Sequence, residues 1–212
     1  MAIGDHGKKI GLAATWSGME TEEGMMGVYL ATAGIMVVFL AAVLIYNKLV
    51  RLRNMVKEGW SGIDVQLKRR ASLIPNLVEI VRGYMGHERG LLSEITELRS
   101  RSLETQKIGD KGPIETALSR SLSNLMAVAE NYPDLKASQN FLALQKDLAE
   151  IEDQIQMARR YYNGTVRNLN IAVESFPSNV VARLFAFVQA EFFAIDEAEE
   201  RQLPHVSFGS HS

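Results

Sequence analysis

The stretch MMGVYLATAGIMVVFLAAVLIY, residues 25–46, runs for 22 residues without a charged side chain. Coiled as a helix at 1.5 Å per residue it reaches about 33 Å, enough for a hydrocarbon core of roughly 30 Å. A cleaved leader would set basic residues directly before a shorter apolar run. Here Glu20, Glu22 and Glu23 precede it and the run is too long, so the sequence predicts a retained transmembrane helix. Lys48, Arg51, Arg53 and Lys57 follow it, whereas Lys8 and Lys9 lie well back on the other side. The positive-inside rule then predicts a single pass, with the short tail 1–24 outside and the larger C-terminal part in the cytoplasm. Those four basic residues are candidate contacts for anionic lipid heads, each worth about 1 kcal/mol near the surface.

Beyond Tyr46 the apolar residues keep a helical stride: Leu49, Leu52, Val56, Trp60, Ile63, Leu67, Ile74, Leu77, Val81, then Leu91, Ile95 and Leu98. Steps of three and four mark one buried stripe. No breaker separates Ile45 from Lys57, so the membrane helix is predicted to continue into this one. Pro75 removes a backbone donor and predicts a kink near Ser72–Pro75. Glycines 83, 86 and 90 weaken the middle of this stretch. Gly109-Asp-Lys-Gly-Pro113 reads as a turn, followed by a helix from about Ile114 to Asn131. Pro133 is expected to open a long helix with the stripe Phe141, Leu144, Leu148, Ile151, Ile155, Ala158, Tyr162, Val166, Leu169, Val173 and Phe176, ended by Pro177. The stretch 180–188 predicts a short helix capped by Ser178, and the acidic tail 194–212 is predicted to be disordered. No strand alternation competes anywhere. The expected fold is all-α: one N-terminal transmembrane helix running into a long antiparallel bundle over 47–193.

The composition excludes several classes. The chain has 212 residues, no cysteine, 8% aromatic residues and a formal net charge of −2. Without cysteine there is no disulfide, thiolate metal site or thiol nucleophile, and the near-neutral balance opposes a nucleic-acid binder driven by bulk charge. Charge divides along the chain: 47–107 holds twelve Lys and Arg against seven Asp and Glu, and 108–212 holds nine against fourteen. That split suits a first helix packed on later ones, although solvated surface pairs contribute only about 0–1 kcal/mol each. His87 lacks the second histidine of a zinc-protease helix. Gly83-Tyr-Met-Gly86 has no phosphate-loop context, and no Gly-x-Ser-x-Gly elbow appears. No cofactor or metal is expected, and no catalytic residue can be assigned. Asn163-Gly-Thr165 matches a glycosylation sequon but lies within a helix.

The densest polar and aromatic cluster is Trp60, Asp64, Gln66, Lys68, Arg69 and Arg70. Asp64 and Lys68 have i,i+4 spacing, as do Gln66 and Arg70. The cluster reads either as a docking surface or as a core tryptophan beside a solvated face. Phe185, Phe187, Phe192 and Phe193 exceed what one short helix buries; they could cap the core, lie on the membrane or seat a neighbouring subunit.

These residues resemble the LemA family. The resemblance rests on Tyr46-Asn47-x-Leu49-Val50, Trp60-Ser61-x-Ile63-Asp64-Val65-Gln66-Leu67-x-Arg69-Arg70, Leu73-Ile74-Pro75-Asn76-Leu77-Val78 and Gly83-Tyr84-x-x-His87-Glu88. Tyr132-Pro133-x-Leu135-Lys136, Ala158-Arg159-x-x-Tyr162-Asn163 and Ser175-Phe176-Pro177-Ser178-Asn179 extend it over about 46–193. It implies a bacterial membrane protein with a long antiparallel four-helix bundle, and adds Asn76 and His87 to the candidate interaction surface. It brings no catalytic residue set. Some members carry a lipid-modified cysteine that this chain lacks, so their placement does not transfer. Family associations with membrane zinc proteases of the HtpX type and with magnetosome membranes imply candidate partners. The expected function is a non-enzymatic scaffold at the bacterial inner membrane, homo-oligomeric and in contact with lipid; a lipid-binding, membrane-shaping protein is the alternative.

Overall fold

The computed structural model describes residues 7–86 and 88–193, with 7–24 described by their backbone alone. Among the described residues there are six helices and no strand: α1 (Gly7–Tyr84), α2 (Arg89–Glu104), α3 (Ile108–Ala129), α4 (Pro133–Lys136), α5 (Gln139–Glu174) and α6 (Ser178–Leu184). The expected all-α architecture is therefore the observed one. The tail 194–212 and His87 lie outside the described residues.

Helix α1 is 78 residues long, about 117 Å at 1.5 Å per residue. Its large apolar side chains from Met25 to Leu44 are 39–71% exposed. Among the described residues this is the one helix long and apolar enough to cross a membrane. Beyond Tyr46 the same helix turns its stripe inward, burying Leu49, Val56, Ile63, Leu67, Ile74, Leu77 and Val81.

Pro75 lies within α1, which stays helical on both sides of it. Its missing N–H orphans the carbonyl of Ala71, four residues earlier. Arg99 on α2 supplies the substitute, donating from Nε to that oxygen at 2.7 Å. The glycine-weakened region is where α1 ends and α2 begins. The turn expected at 109–113 instead falls at 105–107, and α3 runs through Pro113. Burial of Ile114 and Leu118 in the core outweighs the single bond lost there. Pro133 opens only the short α4; α5 starts at Gln139 and ends at Glu174, before Pro177. Ser178 is the first residue of α6 rather than its cap, and its hydroxyl donates back to Ser175 O. Phe176, assigned to the inward stripe, is 83% exposed because α5 has already ended.

The bundle changes cross-section along its length. In the distal part α1, α2, α3 and α5 surround a core containing Leu77, Val81, Ile95, Leu118, Leu125 and Phe141. Below it α1 and α5 run antiparallel around Ile63, Leu67, Ile151, Ile155, Tyr162 and Val166. There α2 and α3 have ended, and the extended segment 187–193 covers the exposed flank, with Phe193 fully buried. Nearest the span, α6 closes a third cluster of Leu49, Ala172, Val181, Ala182 and Phe187, flanked by Ala42 and Ile45. Gly59 sets the approach of α1 to α5: a Cβ there would lie 3.2 Å from Tyr162 Cα.

Candidate interaction surfaces

At the junction between the four-helix part and the thinner part sits a buried polar layer. Arg70, 1% exposed, donates from Nη2 to Glu115 Oε2 at 2.5 Å, and from Nη1 to Ser119 Oγ at 2.6 Å and Glu152 Oε2 at 2.7 Å. Ser102 donates to the other oxygen of Glu115, and Ser119 donates to Glu152 Oε1 at 3.0 Å. Each of the three fully buried members occupies a seam position. Arg70 fills the gap between Leu67 and Ile74, Glu115 precedes Leu118 and Leu122 in step, and Ser102 follows Leu98. The signal was present in the sequence as polar residues at the three–four stride, but a stripe read from apolar residues alone passes over them. A charge so placed needs partners close at hand, because an ion moved out of water carries a desolvation penalty of several kcal/mol. Apart from Arg70 Nε, which is buried without a hydrogen-bond partner, the donors and acceptors of the layer are turned on one another, a structural arrangement.

Beside it, Trp60, Asp64, Leu67, Ser102, Thr105 and Lys111 line a cleft of about 370 Å³. Asp64 holds Lys68 at 2.6 Å along the same helix and Lys111 of α3 at 3.6 Å. Lys111, largely buried, also donates to Thr105 O at 3.4 Å. Gln66 accepts from exposed Arg69 at 3.2 Å, not from Arg70, which turns inward to the buried layer. Asn76 is exposed.

The segment 187–193 is held by two asparagines seven residues apart on α5. Asn170 donates to Ala190 O at 3.0 Å and accepts from Ala190 N at 2.8 Å. Asn163 does the same with Phe193, at 3.1 and 3.0 Å. A carboxamide has one acceptor and a two-donor nitrogen, so it replaces the partner strand an extended residue would otherwise pair with. Tyr162 donates from its hydroxyl to Glu191 O at 2.7 Å. Desolvation, and secondarily the Glu191 carboxylate, push its phenol above the ordinary value, so it keeps its proton and remains a donor. Trp60 packs edge-on against Tyr162 and Phe193, at centroid distances of 5.7 and 5.6 Å. Sequence reasoning named Asn163 only within a sequon and a family motif, passed over Asn170, and gave neither this role: a lone Asn in a helix carries no pattern, and its partner has no periodicity.

The phenylalanines divide. Phe187 and Phe193 are buried, whereas Phe185 and Phe192 are 53% and 49% exposed. Tyr46, at the end of the span, meets Phe185 at 4.8 Å and Phe187 at 5.8 Å between centroids, and the Arg53 guanidinium stands 5.0 Å over Phe187. Lys48, Arg51, Arg53 and Lys57 are all exposed. Among the described residues no group of three or more His, Asp or Glu is placed to hold a metal.

Curated proteins are similar to the chain over about three quarters of its length. The chain is 27% identical over 187 residues to magnetosome protein MamQ 2 of Paramagnetospirillum magneticum, covering 74% of this chain and 68% of that protein. Magnetosome protein MamQ of Magnetospirillum gryphiswaldense is 23% identical over 188 residues, with the same coverages. Protein LemA of Metamycoplasma hominis is 29% identical over 157 residues, covering 72% and 70%. The sequence model of the LemA family matches residues 59–208, and with the polar layer, the cleft and most of the bundle inside that range, the chain belongs to the LemA family.

Proposed function

We propose that the chain is a non-enzymatic, membrane-anchored scaffold that works as an oligomer and organises other membrane proteins from the cytoplasmic face of a bacterial inner membrane. The observation that carries this reading is α1, one uninterrupted helix shared by the span and the bundle. Such an element ties whatever binds the bundle to a fixed place on the bilayer, and helical hydrogen bonding leaves no free joint where the span meets the bundle. The inward-turned pairing of the Arg70 layer supports a structural use of the most conspicuous charges. Similarity to magnetosome proteins supports work at a membrane. A membrane zinc protease is the partner class that the family likeness suggests.

Photo-crosslinkers at exposed Leu142 and Met157, placed in full-length protein in native membranes, test the reading together with the particle mass in mild detergent. The expected result is a discrete oligomer and defined membrane-protein adducts. A monomer that forms no adduct at either position overturns it.

A further inference from the structure

We propose that α6 and its flanking residues form a second membrane contact, lying in the plane of the bilayer surface at the boundary between headgroups and acyl chains. Helix α6 is apolar on opposite faces. Val181 and Ala182 pack inward on Leu49 and Ala172, while Val180 and Leu184 are 59% and 76% exposed on the far side. Phe176 and Val188, just before and just after the helix, are 83% and 76% exposed, and Ile171 of α5 is 54% exposed. The outer apolar edge of α6 sits beside polar Ser178, Asn179 and Arg183, the mixed surface of a helix that lies in an interface rather than crossing it. Exposed apolar side chains gathered in this way mark a surface that meets a membrane or a partner.

The height of this patch identifies its occupant. Ala42 and Ile45, in the last turn of the transmembrane stretch, pack directly against the α6 cluster, and the Phe185 ring rests on Tyr46. The patch is thus continuous with the lipid-facing surface of the span and level with the end of its apolar run. The exposed cations around it, Lys48, Arg51, Arg53 and Arg183, stand where anionic headgroups would be, as in helices that lie along a membrane surface. Between α1 and α5 at the same level, a crevice of about 510 Å³ opens beside Lys48, Ile171 and Phe176.

The absence of native cysteine permits single nitroxide labels at Leu184→Cys, Val188→Cys and Met157→Cys in full-length protein. Each is reconstituted in vesicles of phosphatidylcholine with phosphatidylglycerol. Met157, 54% exposed on α5 and away from the span, is the aqueous reference. Labels at 184 and 188 should collide with a water-soluble nickel chelate several-fold less than the label at 157, and with oxygen more. Equal nickel access at the three sites overturns the proposal. Exclusion of both reagents with dipolar broadening also overturns it, because the patch would then be covered by a second copy. The labelled side chains point away from the core, and a helical circular-dichroism spectrum matching that of the parent verifies folding.

Discussion

Replacing Arg70 with Met leaves the Glu115 carboxylate, 0% exposed, with the Ser102 hydroxyl as its remaining partner in the layer. An uncompensated buried charge of this kind is expected to destabilise the bundle by about 3–5 kcal/mol. Arg70→Met combined with Glu115→Leu should recover most of that loss, because apolar volume can replace a buried pair at little net change. Thermal unfolding followed by circular dichroism gives both numbers, and a silent Arg70→Met would show the guanidinium is not desolvated. A second residue-scale effect lies at Ala186, whose φ of 53° puts an L side chain in the left-handed region. It follows the last turn of α6, with Phe187 N donating to Ala182 O and Ala186 N to Arg183 O. This closure normally carries glycine. Ala186→Gly is therefore expected to stabilise by about 0.5–1 kcal/mol, relief of the left-handed strain exceeding the added freedom of the unfolded chain; a rise in melting temperature checks it.

Two elements depend on side chains borrowed from neighbours. Arg99→Met strands the Ala71 carbonyl and should cost about 1–3 kcal/mol, as an unsatisfied buried acceptor does. Adding Pro75→Ala restores an N–H to that oxygen and should return the loss, so the pair of melting curves separates backbone satisfaction from mere packing. For the extended segment, Asn163→Ala with Asn170→Ala should speed amide exchange at Ala190 and Phe193 and red-shift Trp60 emission, with helicity unchanged. Unaltered exchange would mean that burial of Phe187 and Phe193 holds the segment alone. Helices were legible in the sequence because their seams repeat every three or four residues, as in Ile151, Ile155, Tyr162 and Val166. The covering segment was not legible, because extended backbone paired to asparagines leaves no period. Two prolines misled: α3 runs through Pro113, and Pro133 opens a single turn, since packing partners elsewhere in the chain decide whether one missing donor ends a helix.

At the scale of the whole chain, the opposite charge of its two halves is used, among the described residues, where Arg70 meets Glu115 and Glu152, whereas Lys111 with Asp64 joins the halves in the reverse sense. The stripes predict one long bundle, and the chain forms one. Its change from four helices to two helices with a cover could not come from stripes alone, which say that a face is buried and not what buries it. From Tyr46 to Tyr84 the continuous α1 extends about 57 Å at 1.5 Å per residue. A bilayer thinner by a few ångström is accommodated by tilting an apolar stretch that has become too long, and with no joint at Tyr46 each additional ~10° of tilt swings the far end through about 10 Å. Fluorescence transfer from a label at exposed Tyr84 to headgroup acceptors, in vesicles of graded acyl length, should follow that arc; a stationary tip would reveal a hinge. Lipid chain length is thereby converted, at the remote end of the molecule, into a sideways sweep about three times the change in thickness that caused it.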